Sequence, residues 1–88
     1  MDDEKSRLME EITEMLKNLN EDTSVPKNIR RGAMEAIETL HKKDQALDVR
    51  AASSIYILDD LANDPNLPLH GRTMIWGIIS RLEALSAE

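Results

Sequence analysis

The chain has 88 residues, enough for one small folding unit, and its 41% apolar and 32% charged residues are typical of a globular protein. It has no cysteine, which excludes disulfides, thiolate nucleophiles and cysteine-based metal sites. The net charge of −6 disfavours binding to nucleic acid, and neither a membrane span nor a secretory leader is evident, so we expect a cytoplasmic protein with no membrane and no nucleic-acid partner.

The first two predicted helices are amphipathic. In the first, over about residues 4–20, apolar residues recur every three or four positions: Leu8, Ile12, Met15, Leu16 and Leu19. Ser24 and Pro26 mark the start of the second helix, with the Ser24 hydroxyl as its cap. This helix carries one apolar face and ends in the cations of residues 41–43: the face is Ile29, Ala33, Ala36, Ile37 and Leu40.

The third helix, over about residues 45–63 with Asp44 as its cap, is apolar over most of its circumference, with Val49, Ala52 and Tyr56 on one flank. Such a helix is usually central in a bundle or covered by a partner chain. Prolines at positions 65 and 68 end it, and Asn66 is placed to cap the fourth helix, which runs to about residue 86 on a stripe of Ile75, Ile78, Ile79, Leu82 and Leu85. Because all three connections are short, we predict an all-α, antiparallel, up-and-down four-helix bundle.

The second half of the chain repeats the first with a shift of 42 residues. Seven of the 25 residues between Leu16 and Leu40 are identical to their equivalents between Leu58 and Leu82. We therefore predict one domain over residues 1–88, made of two helical hairpins over about 4–43 and 45–86. The repeat includes an aspartate eight residues before an arginine, as the pairs Asp22/Arg30 and Asp64/Arg72. These residues are either structural, with the aspartate bonding a helix amide from the turn or pairing with the arginine, or functional.

No constellation in the sequence favours catalysis. Ser53 and Ser54 lie inside a predicted helix without the glycine-flanked turn that exposes a catalytic serine, so we expect no enzyme and no cofactor. Glu38 and His41 have the spacing with which one helix supplies two ligands to a di-metal site, but the equivalent part of the repeat has no histidine. They are weak candidates for a metal site.

A cluster of cations at the start of the second helix offers a different hypothesis. Lys27, Arg30 and Arg31 fall within one helical turn and are most simply a solvated face. A nucleic-acid adaptor would require them to lie on one surface with Lys42 or Lys43.

The only two aromatic residues, Tyr56 and Trp76, lie off the predicted apolar stripes. Trp76 is about 120° from the centre of its stripe, and its equivalent in the first hairpin, Met34, is about 110° from its own. These side chains either close the seams between helices or form an apolar surface outside the core. We predict that Met34, Tyr56 and Trp76 mediate interaction with a second copy of the chain, as a homodimer, or with another protein.

Two segments carry a family resemblance: NEDTSVPKNIRR, over residues 20–31, and ANDPNLPLHGR, over residues 62–72. They resemble an uncharacterised family of short archaeal proteins. The resemblance implies an intracellular four-helix bundle and no assigned activity. The leading hypothesis is therefore a non-enzymatic interaction or scaffold module, and the alternative is a bundle that binds a metal or small ligand through Glu38 and His41.

Overall fold

A computed structural model of the protein describes residues 3–87, which form four helices connected by short turns. These are α1 (Asp3–Glu21), α2 (Lys27–Leu40), α3 (Leu47–Ala62) and α4 (Leu69–Ser86). No strand occurs within the described part of the chain, so the predicted all-α class with four helices is confirmed.

Each helix packs against two neighbours in a closed ring. Consecutive helices are in contact, α1 also contacts α4, and within residues 3–87 the diagonal pairs α1/α3 and α2/α4 make no close backbone contact. Side-chain contacts fit the predicted up-and-down order. Thr13, in the first half of α1, contacts His41 just beyond α2, and Arg81, late in α4, contacts Glu11 early in α1.

The core is aliphatic, and its positions follow the 42-residue shift. In α1 the buried residues are Met9, Ile12, Leu16 and Leu19, and in α3 the equivalent residues are also buried: Ala51, Ser54, Leu58 and Leu61. The serine in that set replaces an isoleucine, and its hydroxyl donates to the carbonyl oxygen of Ala36 at 3.3 Å, which satisfies the buried polar group.

The helices are not capped as the sequence suggested. Pro26, Ala46 and Pro68 occupy the N-cap positions of α2, α3 and α4, and none of these ends has a side-chain cap. The predicted caps Ser24, Asp44 and Asn66 were therefore wrong. The reason is visible at Pro26, whose carbonyl accepts from the amide of Arg30 at 3.1 Å and so takes the position before the helix, leaving Ser24 in the turn.

Helix α3 is not central, although it is apolar over most of its circumference. Like every other helix it has two neighbours, and its flank of Val49, Ala52 and Tyr56 is exposed. Of the two arrangements expected for such a helix, the central one is wrong. Among the described residues, no helix combines the length and apolarity that crossing a membrane requires.

Candidate functional site

The end of the bundle that holds the first and third turns contains a cluster of hydrogen-bonded polar side chains. Oδ1 of Asp22 accepts hydrogen bonds from the amide of Ser24, at 2.9 Å, and from the Ser24 hydroxyl. Oδ2 of Asp22 lies 3.2 Å from Nε2 of His70, the second residue of α4. The two bonds from Ser24, followed by His70, hold the pKa of the Asp22 carboxyl below its usual value of 3.8.

The third turn repeats this arrangement with different side chains. Oδ1 of Asp64 accepts from the amide of Asn66 at 2.8 Å, and Oδ2 accepts from Nδ2 of Asn28 at 2.7 Å. Asn28 is the residue equivalent to His70, so each turn aspartate contacts the second helix of the other hairpin. Asn28, then the Asn66 amide, and the charge of Arg72 lower the pKa of Asp64 below 3.8.

The two repeated arginines differ in their contacts. The guanidinium of Arg72 donates to the carbonyl oxygens of Ala62 and Asp64, at 3.0 and 3.2 Å. At Arg30, the backbone carbonyl accepts from Nδ2 of Asn20 at 2.9 Å, while the buried Nε has no partner. Turn and inter-hairpin contacts thus account for Asp22, Asp64 and Arg72.

Ser24, His70 and Asp22 are adjacent, but their geometry is not that of a catalytic triad. In a triad the carboxylate and the serine bond different nitrogens of the imidazole, so that one nitrogen accepts the serine proton. Here Ser24 Oγ, at 2.9 Å, and Asp22 both contact Nε2 of His70, and the Ser24 hydroxyl donates to Asp22. The arrangement is therefore not a catalytic triad.

The candidate metal ligands do not share a site with a third ligand. Within residues 3–87, no three His, Cys, Asp or Glu side chains are grouped so as to hold a metal ion. Glu38 and His41 are both exposed, and Nε2 of His41 lies 2.9 Å from the Thr13 hydroxyl, which itself donates to the carbonyl oxygen of Met9 at 2.8 Å. Since that hydroxyl proton is used, Nε2 of His41 donates to Thr13, and in this arrangement that nitrogen is not free to bind a metal.

The cations at the start of α2 and those that follow it lie at opposite ends of this helix. Lys27 is the first residue of α2, whereas Lys42 and Lys43 follow its last residue. A helix of 14 residues separates them by roughly 20 Å. The cations therefore lie near opposite ends of the bundle.

The three predicted interaction residues are all exposed, and their role stays a prediction. The exposed fractions are 40% for Met34, 79% for Tyr56 and 56% for Trp76. Tyr56 lines a groove of about 340 Å³ between α2 and α3, with Arg31 and Asp60 among its polar walls. Met34 lies about 110° around α2 from the residues that line this groove, so the three side chains do not form one patch.

Two further exposed apolar residues were not among those candidates. Val49 is 47% and Leu69 is 73% exposed. Each lies seven residues before an exposed aromatic, Tyr56 and Trp76 respectively, which places each pair on one side of its helix. That spacing is the signal in the sequence that would have identified them.

Comparison with known proteins agrees with the resemblance noted from the sequence. The model of the uncharacterised protein family UPF0147 matches residues 1–85. A UPF0147 protein of Methanothermobacter thermautotrophicus is 49% identical over 84% of this chain and 72% of its own length, and one of Pyrococcus abyssi is 44% identical over 97% and 99%. A crystal structure of a family member from Thermoplasma acidophilum superimposes with a TM-score of 0.89 at 44% identity, covering 92% of this chain and 95% of that one. The chain belongs to the UPF0147 family, whose function is unknown.

Proposed function

We propose that this protein is a protein-interaction module without catalytic activity, and that its exposed apolar side chains bind a protein surface. One observation carries the proposal: both aromatic residues of the chain, Tyr56 and Trp76, are on the surface, at 79% and 56% exposure. Aromatic side chains are enriched in protein interfaces and dominate their energetics.

These side chains are not part of the buried core. The core is filled by aliphatic residues and Met9, ten of which are large and fully buried: Ile12, Leu16, Leu19, Ile29, Leu40, Leu58, Ile75, Ile78, Leu82 and Leu85. Leaving a large apolar side chain in water forgoes roughly 1.5–3 kcal/mol that its burial would supply. Burial against a partner recovers that free energy.

Two measurements test the proposal. Sedimentation of the wild type, Tyr56→Ala and Trp76→Ala determines whether the chain associates with itself, as the predicted homo-oligomer requires. A photo-crosslinking amino acid placed in turn at positions 56 and 76 in cells detects other protein partners. The control position is Thr23, an exposed residue in the first turn.

Loss of self-association in either alanine variant, or protein adducts from positions 56 and 76 above those from position 23, supports the proposal. A monomeric wild type with no adducts above the control overturns it. No observation in the described residues favours the alternative of a metal- or ligand-binding bundle.

A further inference from the structure

The exposed apolar residues are concentrated on the second hairpin. Val49, Tyr56, Leu69 and Trp76 belong to α3 and α4, whereas Met34 alone belongs to the first hairpin. The charged residues are distributed in the opposite way, with 19 in residues 1–44 and nine in residues 45–88. The two halves therefore share a fold but differ in surface chemistry.

The repeat shows that the fold does not impose these apolar residues. Three of the four have a charged equivalent in the first hairpin: Arg7 for Val49, Glu14 for Tyr56 and Lys27 for Leu69. All three charged equivalents are exposed, as the apolar residues are. The same helical positions thus accept charge in one hairpin and are apolar in the other, so packing within the bundle does not explain them.

The side of α4 that carries Trp76 is the side near α3. Arg72, four residues earlier and on the same side of the helix, donates to the carbonyl oxygen of Ala62 at the end of α3. Arg81 and Gly77 instead face α1, where Arg81 bonds Glu11. Trp76 therefore lies on the side of α4 near α3, with Leu69 about two helical turns earlier, and Tyr56 lies on the outer side of α3, where it also borders the α2–α3 groove.

The groove between the helices of each hairpin differs in the same way. The α1–α2 groove has polar walls that include Glu10, Thr13, Glu14, Lys17 and His41. The equivalent residues of the second hairpin are Ala52, Ile55, Tyr56, Asp59 and Glu83. The first set contains two cationic or cation-forming side chains, and the second set contains none.

All the cations of the second hairpin are engaged within the protein. This hairpin has no lysine. Arg50 donates to the carbonyl oxygen of Leu40 at 3.1 Å, Arg72 holds the third turn, and Arg81 bonds Glu11. The charges left at its surface include four exposed acids: Asp48, Asp59, Asp60 and Glu83.

From this combination we propose that the outer face of the α3–α4 hairpin, formed by Val49, Ala52, Tyr56, Leu69 and Trp76 with the acids Asp59 and Glu83, binds a basic amphipathic helix of another protein. The proposal rests on the proposed function and names the class of partner. An amphipathic helix lays its apolar side into a groove between two helices. Lysine or arginine beside that apolar side meets Asp59 and Glu83, because the three arginines of this hairpin are engaged elsewhere.

Charge decides against the other occupants of this face. In a symmetric dimer formed by this face, Asp59 and Glu83 of one copy would meet the same acids of the other, and no cation of the hairpin is free to separate them. Nucleic acid and anionic lipid would meet the same repulsion. A basic protein segment complements both the apolar and the acidic residues.

The test uses the full chain and two synthetic helical peptides with the same leucine side. One peptide carries lysine on its polar side and the other carries glutamate. Binding is followed by the fluorescence of Trp76, the single tryptophan, and by amide chemical shifts of all four helices. We expect the lysine peptide to shift Trp76 emission to the blue and to move amide signals in α3 and α4, and the glutamate peptide to do neither.

The variants take their residues from the first hairpin, which shows that the fold accepts them. Tyr56→Glu and Leu69→Lys introduce the residues found at positions 14 and 27, and each is expected to lower affinity for the lysine peptide at least about 10-fold. Asp59→Lys introduces the residue found at the equivalent position 17 and replaces an acid that would attract the lysine peptide. The loss of affinity that it causes is expected to shrink as salt is raised. Glu10→Gln on α1 is the matched control and leaves affinity unchanged.

Three results overturn the inference: no binding of the lysine peptide, equal binding of the glutamate peptide, or signals that move only in α1 and α2. Self-association of the wild type that Tyr56→Glu abolishes also overturns it, yet it supports the proposed function. The proposed function fails only through the sedimentation and crosslinking results, so the two failures are distinguishable.

Discussion

Nε2 of His70 lies 3.2 Å from Oδ2 of Asp22, and this contact joins the first turn to the fourth helix. Its equivalent after the 42-residue shift is the bond from Asn28 to Asp64, at 2.7 Å. The two contacts tie the hairpins together reciprocally at one end of the bundle. A histidine and an asparagine serve the same role because each offers one N–H to a carboxylate.

Replacing either turn aspartate is expected to weaken the effect of acid on stability. The pKa values of Asp22 and Asp64 are lowered in the folded protein. The stability that these two carboxylates contribute is therefore complete above the unfolded pKa of 3.8, and it is lost as pH falls through the lower pKa of the folded state. The Tm of the wild type should therefore fall as pH decreases below 3.8, and it should fall less in Asp22→Asn and Asp64→Asn. Asp59→Asn, on the exposed side of α3, is the control that keeps the wild-type profile. Identical profiles of Tm against pH in all four proteins would contradict the stabilising role assigned to Asp22 and Asp64.

His70→Asn is expected to preserve the inter-hairpin contact that His70→Ala removes. Asparagine at this position reproduces the geometry of Asn28, which donates to Asp64 through Nδ2. Thermal denaturation at neutral pH should give a Tm near that of the wild type for His70→Asn and a lower Tm for His70→Ala. An alanine variant as stable as the wild type would show that the contact contributes nothing.

Gly77→Ala is expected to stabilise the protein by about 1 kcal/mol, because alanine in a helix interior restricts the unfolded chain and favours the helix. A Cβ at this position would meet Arg81 Nη1 at 3.5 Å and Met15 Cε at 3.7 Å, which are ordinary contacts. Gly32→Ala is the comparison, since its Cβ would come within 2.6 Å of Leu61 Cδ1 and the leucine must move. Urea denaturation measures the free energy of unfolding of both variants. A larger increase for Gly32→Ala than for Gly77→Ala would contradict the close contact between Gly32 and Leu61.

Two leucine substitutions distinguish core from surface. Leu58→Ala, at a fully buried position, should cost about 2–5 kcal/mol of unfolding free energy. Leu69→Ala, at a position that is 73% exposed, should change it by less than about 0.5 kcal/mol. Equal losses in chemical denaturation would mean that Leu69 is packed in the folded protein.

The helices were predictable because their signals are local. The period of the apolar residues placed all four, whereas the predicted caps Ser24 and Asn66 put the starts of α2 and α4 two residues too early. The caps of α2 and α4 were missed for a physical reason: proline itself occupies the N-cap, so the polar residue two positions earlier bonds within the turn. Ser54 was also missed as a core residue, since its burial depends on the carbonyl of Ala36 on another helix.

By itself the sequence determined four helices, their all-α class and a 42-residue repeat, because apolar period, proline and turn chemistry act over a few residues. It also identified Met34, Tyr56 and Trp76 as residues off the apolar stripes, and all three are exposed. Only the tertiary structure showed that Asp22 contacts His70 as Asp64 contacts Asn28, and that every arginine of the second hairpin is engaged. Those relationships join residues up to 70 positions apart, and such pairings are fixed by how helices pack rather than by local spacing.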